Sequence, residues 1–93
     1  MTAPALRLRD GVVVQILENE MLLLDTRGGQ YFDLNPSGTV MLDSLLKGRD
    51  RAATLALVTE RFAVDGAQAG ADLDALVTSL QQAGLVEGGL PMR

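Results

Sequence analysis

Neither cysteine nor histidine occurs among the 93 residues. Their absence removes thiol nucleophiles, Cys–His dyads, zinc ribbons and disulfides, and with them the usual general base near neutral pH. The remaining candidates for chemistry are carboxylates, one serine at a helix start and a glycine pair. Asp72 and Asp74 stand two apart in a segment with helical periodicity, so their side chains point about 200° apart and cannot share a site. The sequence puts Asp72 in the first turn of that helix, where the helix dipole favours negative charge. Asp25 and Asp33 fall on neighbouring expected strands and form the one other carboxylate pair with a chance of converging. Gly28-Gly29 lacks the lysine and the strand-to-helix context of a phosphate loop and is expected in a hairpin turn. Ser37 has no neighbouring base to activate it. No catalytic residue, metal site or cofactor is assigned, and the chain is expected not to be an enzyme.

The elements that position these residues follow from punctuation by turn residues. Val12–Glu18, Met21–Thr26 and Gln30–Leu34 are apolar, β-branched or aromatic runs of strand length, split by Glu18-Asn19-Glu20 and Arg27-Gly28-Gly29. They predict a three-stranded antiparallel meander with Met21–Thr26 in the middle. Asn35-Pro36 is a helix start, with an N-cap followed by the residue that needs no N–H partner. Val40, Met41, Leu42, Leu45 and Leu46 give the first helix its apolar stripe as far as Gly48. A second helix follows the N-cap Asp50, with Leu55, Val58 and Phe62 on one face. Asp65-Gly66 predicts a turn, and residues 66–70 a loop or frayed start. A third helix is expected over about Ala71–Ala83, with Leu73, Leu76, Val77 and Leu80 on one face, ending at Gly84 with Leu85 folding back. Leu85–Glu87 has the composition of a short strand. The order predicts an α+β domain, a three-stranded antiparallel sheet followed by three helices. The whole chain, 1–93, is read as a single domain, ordered over about 11–87.

Charge narrows the partners. The net charge is −4, which opposes nucleic acid and anionic membrane. Three helices with a hairpin are the outline of a winged helix-turn-helix, yet no Lys or Arg occurs from Phe62 to Met92, and an acidic recognition helix is repelled by a duplex. No apolar stretch approaches a membrane span and no signal-peptide segment is visible, so a cytoplasmic protein is expected. The positive feature is the last strand. Gln30–Leu34 holds two of the three aromatic residues and one charge, Asp33, with no internal proline. As a sheet edge it is fitted to accept a strand from another chain, unless a helix or the Leu85–Glu87 segment covers it.

An ordered set of motifs resembles a known family. Leu24-Asp25-Thr26-Arg27-Gly28-Gly29-Gln30-Tyr31-Phe32-Asp33-Leu34-Asn35-Pro36-Ser37-Gly38, then Leu45-Leu46-Lys47-Gly48, then Leu73–Val86 ending in Ala83-Gly84-Leu85-Val86, resembles PqqD-like proteins, the leader-recognition domains of ribosomal-peptide biosynthesis. The resemblance spans about Gly11–Glu87. It implies a winged helix-turn-helix-like fold and a non-catalytic role. The leader of a precursor peptide would add as a strand along Gln30, Tyr31, Phe32, Asp33 and Leu34, in a cleft with the third helix. Candidate contacts there are Asp72, Leu73, Leu76, Val77 and Leu80; Leu73, Leu76 and Leu80 are also expected in the core, and Val77 at its margin. The partners implied are the leader region and a leader peptidase or other modifying enzyme. The free-standing lasso-peptide version is favoured; a PQQ-pathway peptide chaperone for a radical enzyme and a DNA-binding regulator are the alternatives. Many relatives have an aromatic residue in the first helix near Met41, where this chain has methionine.

Overall fold

A computed structural model describes residues 6–89 of the chain. In chain order the elements are β1 (Leu6–Leu8), β2 (Val12–Leu17), β3 (Glu20–Asp25), β4 (Gln30–Leu34), α1 (Pro36–Leu46), α2 (Arg51–Arg61), α3 (Gly66–Gln82) and β5 (Val86–Gly88). The fold is α+β, with the meander β2-β3-β4 antiparallel throughout and β3 central, as the turn residues predict.

Register decides which side of this sheet is buried. Met21 lies opposite Leu34, and Leu23 opposite Phe32. Because side chains alternate between faces, these four share the side that meets the helices. Met21, Leu23 and Leu34 are buried and Phe32 is half-buried. The other face carries Val13, Leu24 and Tyr31 in one cross-strand row and stays largely open, Tyr31 being 72% exposed. Asp25 and Asp33 fall on opposite faces: Asp33 lies opposite Leu22, three residues before Asp25. The two carboxylates therefore do not converge. Among the described residues no group of three or more acidic side chains is placed to hold a metal.

All three helices start in the same way. Asn35, Asp50 and Asp65 each accept the backbone N–H three residues on, at 2.8 Å, filling one of the free donors at a helix start. The third cap corrects the sequence expectation. Asp65 begins a helix instead of a turn, and α3 starts at Gly66, five residues before the expected Ala71. Asp72 is consequently a mid-helix residue and gains nothing from the dipole of the first turn. At the other end, Gly84 takes φ 73° and Leu85 donates its N–H to Leu80 at 3.1 Å. This is the glycine-terminated stop anticipated from the sequence.

Leu85–Glu87 contributes β5, but not to the meander. β5 pairs antiparallel with β1, a strand the sequence did not suggest. Leu6, Leu85 and Val86 are buried in the same core as α1 and α3. One polar pair lies in that core: the Ser44 and Thr54 hydroxyls, 2.7 Å apart, join α1 to α2. Thr54→Val should leave the Ser44 hydroxyl without a partner and destabilise the protein by about 1–3 kcal/mol. Adding Ser44→Ala should recover part of that loss, measured by urea unfolding of the single and double variants.

Candidate functional site

The outer edge of β4 is unpaired among the described residues, because β2-β3-β4 ends there and β5 is engaged by β1. Beside it runs an open groove of about 370 Å³. One wall is Phe32, Asp33 and Leu34 of β4, continued by Ser37 and Met41 of α1; the other is Asp72, Ala75, Leu76 and Ser79 of α3.

The wall from α3 follows from helical phase. Ala69, Leu73, Val77 and Leu80 are buried. The stripe 72, 75, 76 and 79, one step around the helix, faces the groove. The structure thus corrects two expectations about single residues. Val77, assigned to the core margin by periodicity, is only 4% exposed, and half-buried Leu76 takes the groove position. Leu73 and Leu80 are fully buried and do not line the groove. Once α3 starts at Gly66, Ala69 joins the buried stripe one turn earlier, and the centre of the stripe falls on 69-73-77-80.

The charged groups divide in the same manner. Asp74 pairs with Arg51 at 3.2 Å, fastening α3 to α2. Asp72 accepts a hydrogen bond from Gln68 at 2.8 Å, and neither Asp72 nor Asp33 has an ion-pair partner among the described residues. The groove thus sets apolar Phe32, Leu34, Met41, Ala75 and Leu76 beside polar Asn35, Ser37 and Ser79. Asp72 stands on its α3 wall, whereas Asp33 borders it from β4 with its side chain on the open face of the sheet, like Tyr31. Gln30 and Tyr31 belong to β4 but are exposed, and Tyr31 points to the open face of the sheet. Ala75 and Ser79 line the groove without having been singled out in the sequence, and Ser37 and Met41 line it although they were considered there in other roles. The small residues at 75 and 79 lie four apart beside Leu76, and that spacing would have marked them once the helix phase was known.

The family model for coenzyme PQQ synthesis protein D (PqqD) matches residues 20–86. The chain belongs to the PqqD family. Two solved structures extend the likeness. One, described as lasso peptide synthetase B1 complexed with the leader peptide, is 34% identical, with TM-score 0.82, over 89% of this chain and 98% of that one. The other, TbiB1 in complex with the TbiA(beta) leader peptide, is 25% identical, with TM-score 0.80, over 91% and 99%. No curated protein matches at a significant level. The winged helix-turn-helix-like arrangement expected of a PqqD family member is the one this chain adopts.

The two stripes of α3 should respond differently to truncation. Leu73→Ala should cost about 2–5 kcal/mol as a cavity in the core. Ser79→Ala should stay within about 0.5 kcal/mol of wild type, both measured by chemical unfolding.

Proposed function

We propose that this PqqD family member is a non-catalytic recognition protein for the leader of a ribosomally synthesised precursor peptide. The leader joins β4 as an added strand and lays alternate side chains into the groove between β4 and α3. The observation that carries this reading is the free β4 edge beside a groove with an apolar seat, in a fold shared at 34% identity with a lasso peptide synthetase B1 complexed with a leader peptide. Backbone hydrogen bonds along the edge supply affinity without regard to sequence. The groove supplies selection through every second side chain. Phe32, Leu34, Met41 and Leu76 offer an apolar seat, and Asp72 on the α3 wall favours a basic leader residue next to it.

No bond needs to be made or broken by this chain. Holding the leader raises the local concentration of precursor at a modifying enzyme. A leader peptidase of lasso-peptide maturation is the favoured recipient, since both structural relatives are leader complexes and one is named as a lasso synthetase component. The PQQ-pathway reading is favoured by the family description alone. For DNA binding the face of α3 is unsuited, since its exposed residues include Asp72 and Asp74 and no cation. No described helix is long and apolar enough to cross a membrane, and the reading places the protein in the cytoplasm, where precursor peptides leave the ribosome.

The test is fluorescence anisotropy with a labelled leader peptide from the precursor gene beside this one. Saturable binding is expected. Ala75→Trp, which fills the groove from an exposed position, should weaken it at least about tenfold, or 1.4 kcal/mol, and Phe32→Pro should abolish it by breaking the strand. Asp72→Asn should weaken it by a smaller factor, with reduced salt dependence. Full affinity in the Ala75→Trp and Phe32→Pro proteins, shown folded by circular dichroism, would exclude this groove.

A further inference from the structure

A second groove, larger than the first at about 630 Å³, lies on the other flank of α1. Helical phase separates the two. Ser37, Gly38 and Met41 face the β4–α3 groove, whereas Pro36, Val40, Asp43 and Lys47 face the second, roughly 150° around the helix. Its floor is apolar: half-buried Val40, Leu57 and Phe62, with Ile16 overhanging from β2. Ile16 is in an unusual position. It lies opposite Met21 in the row that ends at Leu34, on the helix-facing side of the sheet. Met21 and Leu34 are buried, while Ile16 is 65% exposed, because no element among the described residues covers the end of the β2–β3 hairpin.

The rim of this groove gathers the spare positive charge of an acidic chain. Arg7, Arg27, Lys47 and Arg51 each have a carboxylate partner. Arg9, Arg49 and Arg61 have none among the described residues, and Arg49 and Arg61 both line this groove. Lys47 is paired with Asp43 at 3.0 Å within it, and Glu18 is the one other carboxylate on its wall. Two uncompensated guanidinium groups over an apolar floor complement a peptide segment that carries both carboxylates and apolar side chains.

We infer that this groove docks an acidic, apolar segment of another protein, at a site distinct from the β4 edge and open at the same time as it. In identifying that protein with the modifying enzyme, the inference rests on the leader-recognition reading; the chemistry of the groove does not. The two sites would make the chain a two-sided adaptor, with α1 as the wall between precursor and enzyme.

A phage-displayed library of random 12-residue peptides, selected on the immobilised full chain, tests this directly. Recovered peptides should be enriched in Asp and Glu interleaved with Leu, Ile or Phe. Synthetic copies should bind at least about tenfold more weakly to the Arg49→Glu/Arg61→Glu protein, with the milder Arg49→Ala/Arg61→Ala protein in between. Ala75→Trp should leave them unaffected. Three results would overturn the inference: no acidic enrichment over the input library, recovered peptides that bind the charge-reversed protein unchanged, or a concentration-dependent dimer of the chain that charge reversal abolishes, which would assign the groove to a second copy. Leader anisotropy, run in parallel, keeps the two readings separate. Loss of leader binding with acidic selection intact would remove the enzyme as named partner and leave the groove, and the reverse would remove the groove alone.

Discussion

The register between β3 and β4 is the constraint on which the rest depends. With Met21 opposite Leu34 and Leu23 opposite Phe32, the apolar side of β4 is held against the helices and its outer edge lies at the boundary of the sheet. A slip of one residue would turn Tyr31 and Asp33 inward and Phe32 and Leu34 to solvent. Burial of Leu34, Met21 and Leu23 opposes that slip, each such side chain contributing about 1.5–3 kcal/mol. The strand is thus anchored through one face and one edge, leaving the second edge free to pair.

α3 converts that edge into a cleft. Its buried stripe, Ala69-Leu73-Val77-Leu80, fixes the helix against the core, and the Arg51–Asp74 pair fastens it to α2. Because those contacts hold the helix without using positions 72, 75, 76 and 79, that stripe faces β4 across open space. The paired ends of the described chain serve the same arrangement. β5 is occupied by β1, so the segment whose sequence could have capped the meander does not.

Much of this was legible in the sequence, and the misses have physical causes. Gln30–Leu34 was bounded by its turn residues, and β2 and β3 came within a residue of their observed limits, because short apolar runs between turn signals leave few alternatives. Asn35 and Asp50 announced two helices. α3 was cut short because Gly66 and Gly70 are poor helix formers. Tertiary context overrides that preference: Gly70 is buried, and a Cβ there would stand 2.9 Å from the Arg51 guanidinium. The missed turn hid Ala69, the residue that centres the buried stripe on 69-73-77-80. Without it, Leu76 and Val77 are equally placed beside Leu73 and Leu80, and periodicity does not say which of them lies at the margin. β1 was invisible because three residues, Leu6–Leu8, gain their strand conformation from β5, nearly the whole length of the chain away. The second groove could not be read at all, since it joins Ile16, Val40 and the Leu57–Arg61 pair from three separate elements.

The central claim is that the outer edge of β4 accepts a strand. Residue-resolved amide hydrogen exchange, with and without a saturating leader peptide, addresses it most directly. The account predicts that alternate amides of Gln30–Leu34, those pointing away from β3, become strongly protected on binding, with smaller changes along Asp72–Ser79 and none in β2. Saturating leader that leaves those β4 amides exchanging as fast as in the free protein, or that protects β2 or α2 instead, would contradict it.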